Sequence, residues 1–229
     1  DRGLLTLILF PQGYELAKAA LGSDGAIEGA TSATLAPWAE YTYVYDAGGR
    51  VLTSVAQGAG CGCGSSGGRG TYNFLHVDAT HGNGDGLAWQ QKTVETLPDG
   101  NQRIVYLNGY GSVLLSSFKE TATGKEWITS NTYDAYNRMT STANPSAVIS
   151  YNEADPFLAV QLQPGSGVIH LYDFYSATDL PNGAVAGYRS TTRVQNGLGG
   201  TIVLLSQTKY TSLSNGSGLT IYPVLSSTV

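Results

Sequence analysis

The chain alternates short runs rich in Val, Ile, Thr and Tyr with clusters of turn-forming residues. That punctuation limits the fold more than any other feature, because runs of six to ten residues are short for a helical core and suit strands. Strands are predicted near 4–10, 41–46, 51–56, 71–78, 87–96, 102–107, 112–119, 126–133, 138–143, 147–152, 157–163, 167–175, 187–194, 201–210 and 219–225. Turn residues separate them, among them Gly48-Gly49, Pro98-Asp99-Gly100, Thr123-Gly124, Asn144-Pro145, Pro164-Gly165, Pro181-Asn182-Gly183, Asn196-Gly197 and Asn215-Gly216. Several of these tolerate the positive φ that tight hairpins demand. Only Gly13 to Gly22 predicts a helix, with Leu16, Ala19 and Ala20 on one face and Gly22 as its stop. The expected class is all-β, an antiparallel sheet of successive hairpins.

Composition narrows the partners. The 229 residues suffice to bury a core. Twelve basic against seventeen acidic residues leave a net charge of −5 and no cationic run. Nucleic acid and anionic membranes are therefore not expected partners. The longest apolar stretch, Leu4 to Phe10, contains Thr6 and is too short to span a bilayer. Charged residues make up 13% of the chain, about half the usual ~25%. With 30 Gly and 15 Tyr, this points to a secreted or cell-surface β-protein. Residue 1 is Asp, and no signal peptide is visible.

A weak repeat runs through the chain. Tyr43-Val44-Tyr45-Asp46-Ala47-Gly48-Gly49-Arg50-Val51-Leu52-Thr53 aligns with Thr132-Tyr133-Asp134-Ala135-Tyr136-Asn137-Arg138-Met139-Thr140-Ser141. The shared positions are Tyr45, Asp46, Gly49 and Arg50 in one copy and Tyr133, Asp134, Asn137 and Arg138 in the other. Tyr106 to Leu114 is a degenerate copy, and Asp1 to Thr6 matches the second half of the unit. The physical logic is a hairpin. Tyr ends one strand, Asp bonds the backbone two residues on, Gly or Asn takes positive φ, and Arg opens the return strand.

This unit resembles the RHS/YD-repeat family, whose motif is close to Tyr-Asp-x-x-Gly-Arg-Leu-Thr. The match is good at 43–53 and 132–141, partial at 1–6 and 106–114, and loose elsewhere. Asp46 and Asp134 are 88 residues apart, wider than the family's spacing. The resemblance implies a long β-ribbon curling into a shell that encloses or presents cargo on a secreted or surface protein. It also implies partners that are other segments of one large protein or other copies of the chain, and in some members glycans. Asp1 falls within a repeat, so the chain is expected to be a segment of a larger polypeptide or a processed subunit. Three regions are expected: 1–56 with a partial repeat, a small-residue insertion (11–40) and the first full copy; 57–70 as a Gly/Ser-rich loop; and 71–229 as a continuous hairpin region.

Five groups are candidate sites. Cys61 and Cys63 form a C-x-C pair that could be free thiols, disulfide-bonded or metal-bound; two soft ligands fall short of the four zinc favours, and a bridge across one residue would be strained. Asp78, His81, Asn83 and Asp85 supply donors, with 81, 83 and 85 at the spacing that starts a calcium loop, and His76 and Asp78 on one strand face are two of the ligands a transition metal would need. However, His81 stands at the calcium loop's first position and Lys92 where a bidentate Glu is needed. Neither Gly109-Tyr110-Gly111-Ser112 nor Gly165-Ser166-Gly167 fits a G-x-S-x-G elbow. Asp155-Pro156 lacks the Gly-Leu of the family's self-cleavage motif and reads as a turn. Tyr41, Tyr43 and Tyr45 share a strand face near Trp38, and Tyr172, Phe174 and Tyr175 form a second cluster; buried they make core, exposed they stack on sugars. No cofactor and no catalytic residue are expected. The expected function is architectural, building a shell or an extracellular filament. The alternative is a carbohydrate-binding or adhesin module using Tyr and Trp platforms, and a polysaccharide-acting enzyme is a third reading.

Overall fold

The computed structural model describes residues 3–58, 68–81 and 85–228. Its strands are β1 (Leu7–Ile8), β2 (Tyr41–Tyr45), β3 (Val51–Gln57), β4 (Arg69–Asp78), β5 (Trp89–Thr96), β6 (Gln102–Asn108), β7 (Val113–Lys119), β8 (Glu126–Tyr133) and β9 (Met139–Ala143). There follow β10 (Val148–Ser150), β11 (Gln161–Leu162), β12 (Val168–Phe174), β13 (Arg189–Asn196), β14 (Ile202–Tyr210), β15 (Leu213–Ser214), β16 (Thr220–Ile221) and β17 (Val224–Thr228). The protein is all-β. Thirteen strands form one antiparallel sheet in the order β1 to β9, β12, β13, β14, β17, so each strand lies beside the previous sheet strand in the chain. Two minor ribbons, β10–β11 and β15–β16, fill the breaks in that series.

Predicted and observed strands agree closely in the middle of the chain and diverge where side chains, not backbone propensity, decide. The run 4–10 pairs only at Leu7 and Ile8. The run 157–163 pairs only at Gln161 and Leu162, because Asn152 and Asp155 bond the backbone locally before it. The run 219–225 breaks at Pro223, which has no N–H to give to a ladder. Leu213–Ser214 is a strand without a prior signal.

Contacts divide the chain into two compact units. Unit 1 comprises Asp1–Val77, Thr93–Ile104 and Phe118–Lys125, and unit 2 comprises Asp78–Lys92, Val105–Ser117 and Glu126–Val229. In unit 1 the predicted helix is α1 (Pro11–Leu21), opened by Pro11 and stopped by Gly22 in the left-handed conformation. The insertion holds two more helices, α2 (Asp24–Glu28) and α3 (Ser32–Leu35). Each is N-capped: Ser23 Oγ accepts from Ala26 N–H and Thr31 Oγ1 from Thr34 N–H, both at 3.2 Å. Ala17, Ile27 and Leu35 bury together against Leu7, Leu9 and Trp38. A Cβ at Gly13 would overlap the Trp38 carbonyl, so the tight seat of α1 requires glycine there.

The core of unit 2 has two parts. Ala143, Ala147 and Ile169 pack with Val148, Leu162 and Leu171. A second part is aromatic. Trp89 meets His81 and Tyr106 edge to face, with ring centroids 5.0 and 5.5 Å away, and Tyr106 meets Tyr151 at 5.6 Å.

Candidate functional site

The repeat residues build one turn three times over. At Asp46, Oδ1 accepts from the N–H groups of Gly48 (2.8 Å) and Arg50 (2.9 Å), and Oδ2 accepts from Arg50 Nε (2.8 Å). At Asp134, Oδ1 accepts from Tyr136 N–H (2.9 Å) and Arg138 N–H (3.0 Å), and Oδ2 accepts from Arg138 Nε (2.7 Å). The degenerate copy keeps the backbone half of this arrangement. Asn108 Oδ1 accepts from Tyr110 N–H (3.0 Å) and Ser112 N–H (2.9 Å). The fourth residue of each turn has positive φ: Gly49 at 84°, Gly111 at 79° and Asn137 at 57°. The ladders of the first and second full copies slip by one residue at Tyr45 and at Tyr133, as a three-residue hairpin loop with a bulge requires.

The repeated Tyr also has one role. Tyr45 donates its hydroxyl to the Leu5 carbonyl (2.6 Å) and Tyr133 to the Val113 carbonyl (2.9 Å), each pinning backbone beyond its own hairpin. Asn in place of Gly at 137 has a cause that the sequence did not reveal. Asn137 Nδ2 donates to Ser112 Oγ and its Oδ1 accepts from Asn108 Nδ2, both at 2.9 Å, so one turn is laced to the next.

Charge follows the same plan. The Arg50 guanidinium and backbone N–H beside Asp46 hold its carboxyl down at about 2. At Asp134 burial pushes the carboxyl up, but the Arg138 guanidinium and the backbone donors outweigh it and the net shift is downward. The Arg138 guanidinium also lies over the rings of Phe174 (4.5 Å) and Tyr136 (5.0 Å).

The metal-type candidates are dispersed. His76 Nε2 lies 2.8 Å from the Val51 carbonyl and so carries the proton, while Nδ1 faces Thr93 Oγ1 at 3.2 Å, which occupies both nitrogens within the sheet. Asp78 ends β4 and is exposed. His81 stacks on Trp89, and its Nε2 is buried without a partner among the described residues. Asp85 Oδ1 accepts from Leu87 N–H (2.9 Å), a turn-forming bond. Lys92 holds Glu153 with both carboxylate oxygens (2.8 and 2.7 Å). Asn83, Cys61 and Cys63 lie outside the described residues, as do Asp1 and Arg2. Among the described residues no three His, Cys, Asp or Glu side chains stand close enough to share a metal.

The densest polar cluster is one that sequence reasoning missed. Ser117 donates to Glu126 Oε1 (2.6 Å), and Tyr151 donates to the same oxygen (3.4 Å). Trp89 Nε1 donates to the Glu153 carbonyl (3.3 Å), beside the Lys92–Glu153 pair. Burial raises the phenols of Tyr106 and Tyr151, so both stay protonated; Tyr151 donates to Glu126, while the buried Tyr106 hydroxyl has no hydrogen-bond partner among the described residues. Ser117 gives its proton to a carboxylate and faces no imidazole, unlike an activated nucleophile. The cluster anchors the 151–160 loop. Asp155 and Pro156 belong to that loop: Asp155 Oδ1 accepts from Phe157 N–H (2.7 Å), and the Pro156 carbonyl accepts from Trp89 N–H (2.9 Å).

The aromatics divide between core and surface. Tyr175, Tyr210, Tyr188 and Tyr222 form an edge-to-face chain, and Tyr172 receives the Arg189 cation at 4.4 Å. Trp89 is buried and Trp127 is exposed. Tyr41 and Tyr43, with Tyr72 and Phe74, line an open groove of about 480 Å³ in unit 1. No protein-family model matches the chain, and no curated protein matches it. The likeness to YD-repeat proteins therefore rests on the turn residues themselves.

Proposed function

We propose that the chain is an architectural β-repeat segment of a secreted or cell-surface protein of RHS/YD type, which extends a sheet into a shell or a filament. The observation that carries this reading is the state of its last strands. Ile202, Val203, Leu204 and Leu205 are consecutive in β14 and all large and exposed, so apolar side chains stand uncovered on both faces of that strand. Val224 and Leu225 of β17 are 58% and 62% exposed. Among the described residues β17 pairs with β14 on one side only, and residues 211–228 carry no charged side chain. Soluble proteins normally guard such an edge with Lys, Pro or a covering element. A bare, neutral, apolar edge suits further strands, supplied by another segment of the same protein or by a second copy.

Sedimentation across a wide concentration range tests this. Association that Leu225→Lys abolishes supports the reading. A chain that stays monomeric at high concentration, with β17 amides exchanging as fast as free coil, would overturn it.

A further inference from the structure

The groove in unit 1 has a built shape. Register places Tyr43 beside Ser54 and Ser54 beside Tyr72. The next row on the same face is Tyr41, Ala56 and Gly70. Tyr41 and Tyr43 on one side and Tyr72 with Phe74 on the other thus flank a floor of small residues, two strand spacings apart, on the order of 9.6 Å. One turn of a polyproline II helix rises about 9.3 Å. The hydroxyls of Tyr43 and Tyr72 meet no protein acceptor among the described residues, which leaves two donors for the unpaired carbonyls of such a helix. Glu95 lines the same groove. Its only ion-pair partner among the described residues is Arg103 at 3.3 Å, a side chain 59% exposed, which an incoming cation can replace.

We infer that this groove binds a proline-rich segment in the polyproline II conformation carrying a basic residue that pairs with Glu95. Aromatic ridges, a small-residue floor and one acidic side chain are the parts that this mode of recognition uses. A saccharide would need several free polar groups converging on its hydroxyls. Here the Gln57 side-chain oxygen is engaged by Arg69 Nε (3.1 Å), and the floor presents one hydroxyl, Ser54, beside Ala56, so the groove favours the peptide.

Titration of the whole chain with a polyproline peptide bearing one arginine, followed by amide NMR shifts, tests the inference. Saturable shifts on β2, β3 and β4 are expected. Tyr43→Ala and Tyr72→Ala should each weaken binding by about tenfold, as truncation of an anchor residue does. Tyr43→Phe and Tyr72→Phe keep the packing and report on the hydroxyls alone, should the alanine variants unfold. Glu95→Gln should erase the preference for the arginine peptide over an uncharged one, whereas the exposed Tyr136→Ala should change nothing. Absence of saturation, or binding indifferent to both tyrosines, overturns the inference. So does a neutral tetrasaccharide that binds through the same tyrosines while polyproline does not. None of these outcomes bears on edge association, which is read separately.

Discussion

Asp46 and Asp134 each satisfy two backbone donors and one guanidinium, so a single side chain closes a hairpin. Their carboxyls are depressed in the fold, Asp46 to about 2 against about 3.9 when unfolded. A depressed carboxyl contributes stability that is present above the unfolded value and lost as pH falls through the folded one. The protein should thus lose stability between about pH 4 and pH 2, and Asp46→Asn should flatten that loss. Denaturant melts across the window check this. Asn108 shows that an amide sustains the backbone part of the turn. Asn137 supplies a second test. Glycine fits its φ of 57° at least as well, yet Asn137→Gly deletes the bonds to Ser112 and Asn108. Two lost hydrogen bonds outweigh the relief of backbone strain, so a net loss of about 1 kcal/mol is expected in equilibrium unfolding.

At the scale of elements, the hairpins and the loops obey different rules. Hairpins were legible because their information is local: a strand run, an Asx residue and a residue tolerant of positive φ lie within a dozen positions. The position and stop of α1 were legible from Gly22, but its buried face was not: Leu16, Ala19 and Ala20 are exposed, and Gly13 and Ala17 are buried instead. The capped helices α2 and α3 were not legible, because each is a single short turn or two and depends on the burial of Ile27 and Leu35 for most of its stability. The loop 151–160 was hidden as well. Its predicted strand gives way to a compact turn in which Leu158 is buried at φ 64° and Ala159 follows at φ 35°. Burial of Leu158 and the anchors at Trp89 and Lys92 hold this strained pair in place. Ala159→Gly, which removes a Cβ from a left-handed position, should raise stability by about 0.5–1 kcal/mol. Thermal melts of the variant and the parent would show it.

For the whole molecule, the question is where an antiparallel sheet stops. The edge at β17 is neutral and apolar, so its association should respond little to added sodium chloride and strengthen in sulfate, which drives apolar burial. Sedimentation in the two salts distinguishes this from assembly through ion pairs, which chloride would weaken. Leu225→Lys sets a charge on the open edge and should leave the rest of the sheet intact, because β17 is its last strand.

By itself, the order of residues determined the all-β class, most strand positions and the geometry of the repeated turn, since hydrogen bonds between residues two to four apart need no distant partner. Tertiary structure alone decided that Asn137 laces two turns, that both ring nitrogens of His76 face groups within the sheet, and that two tyrosines 29 positions apart form the walls of one groove. Those outcomes depend on strand register. Register is set by the whole ladder of pairings and the packing across it, and no window of sequence contains that sum.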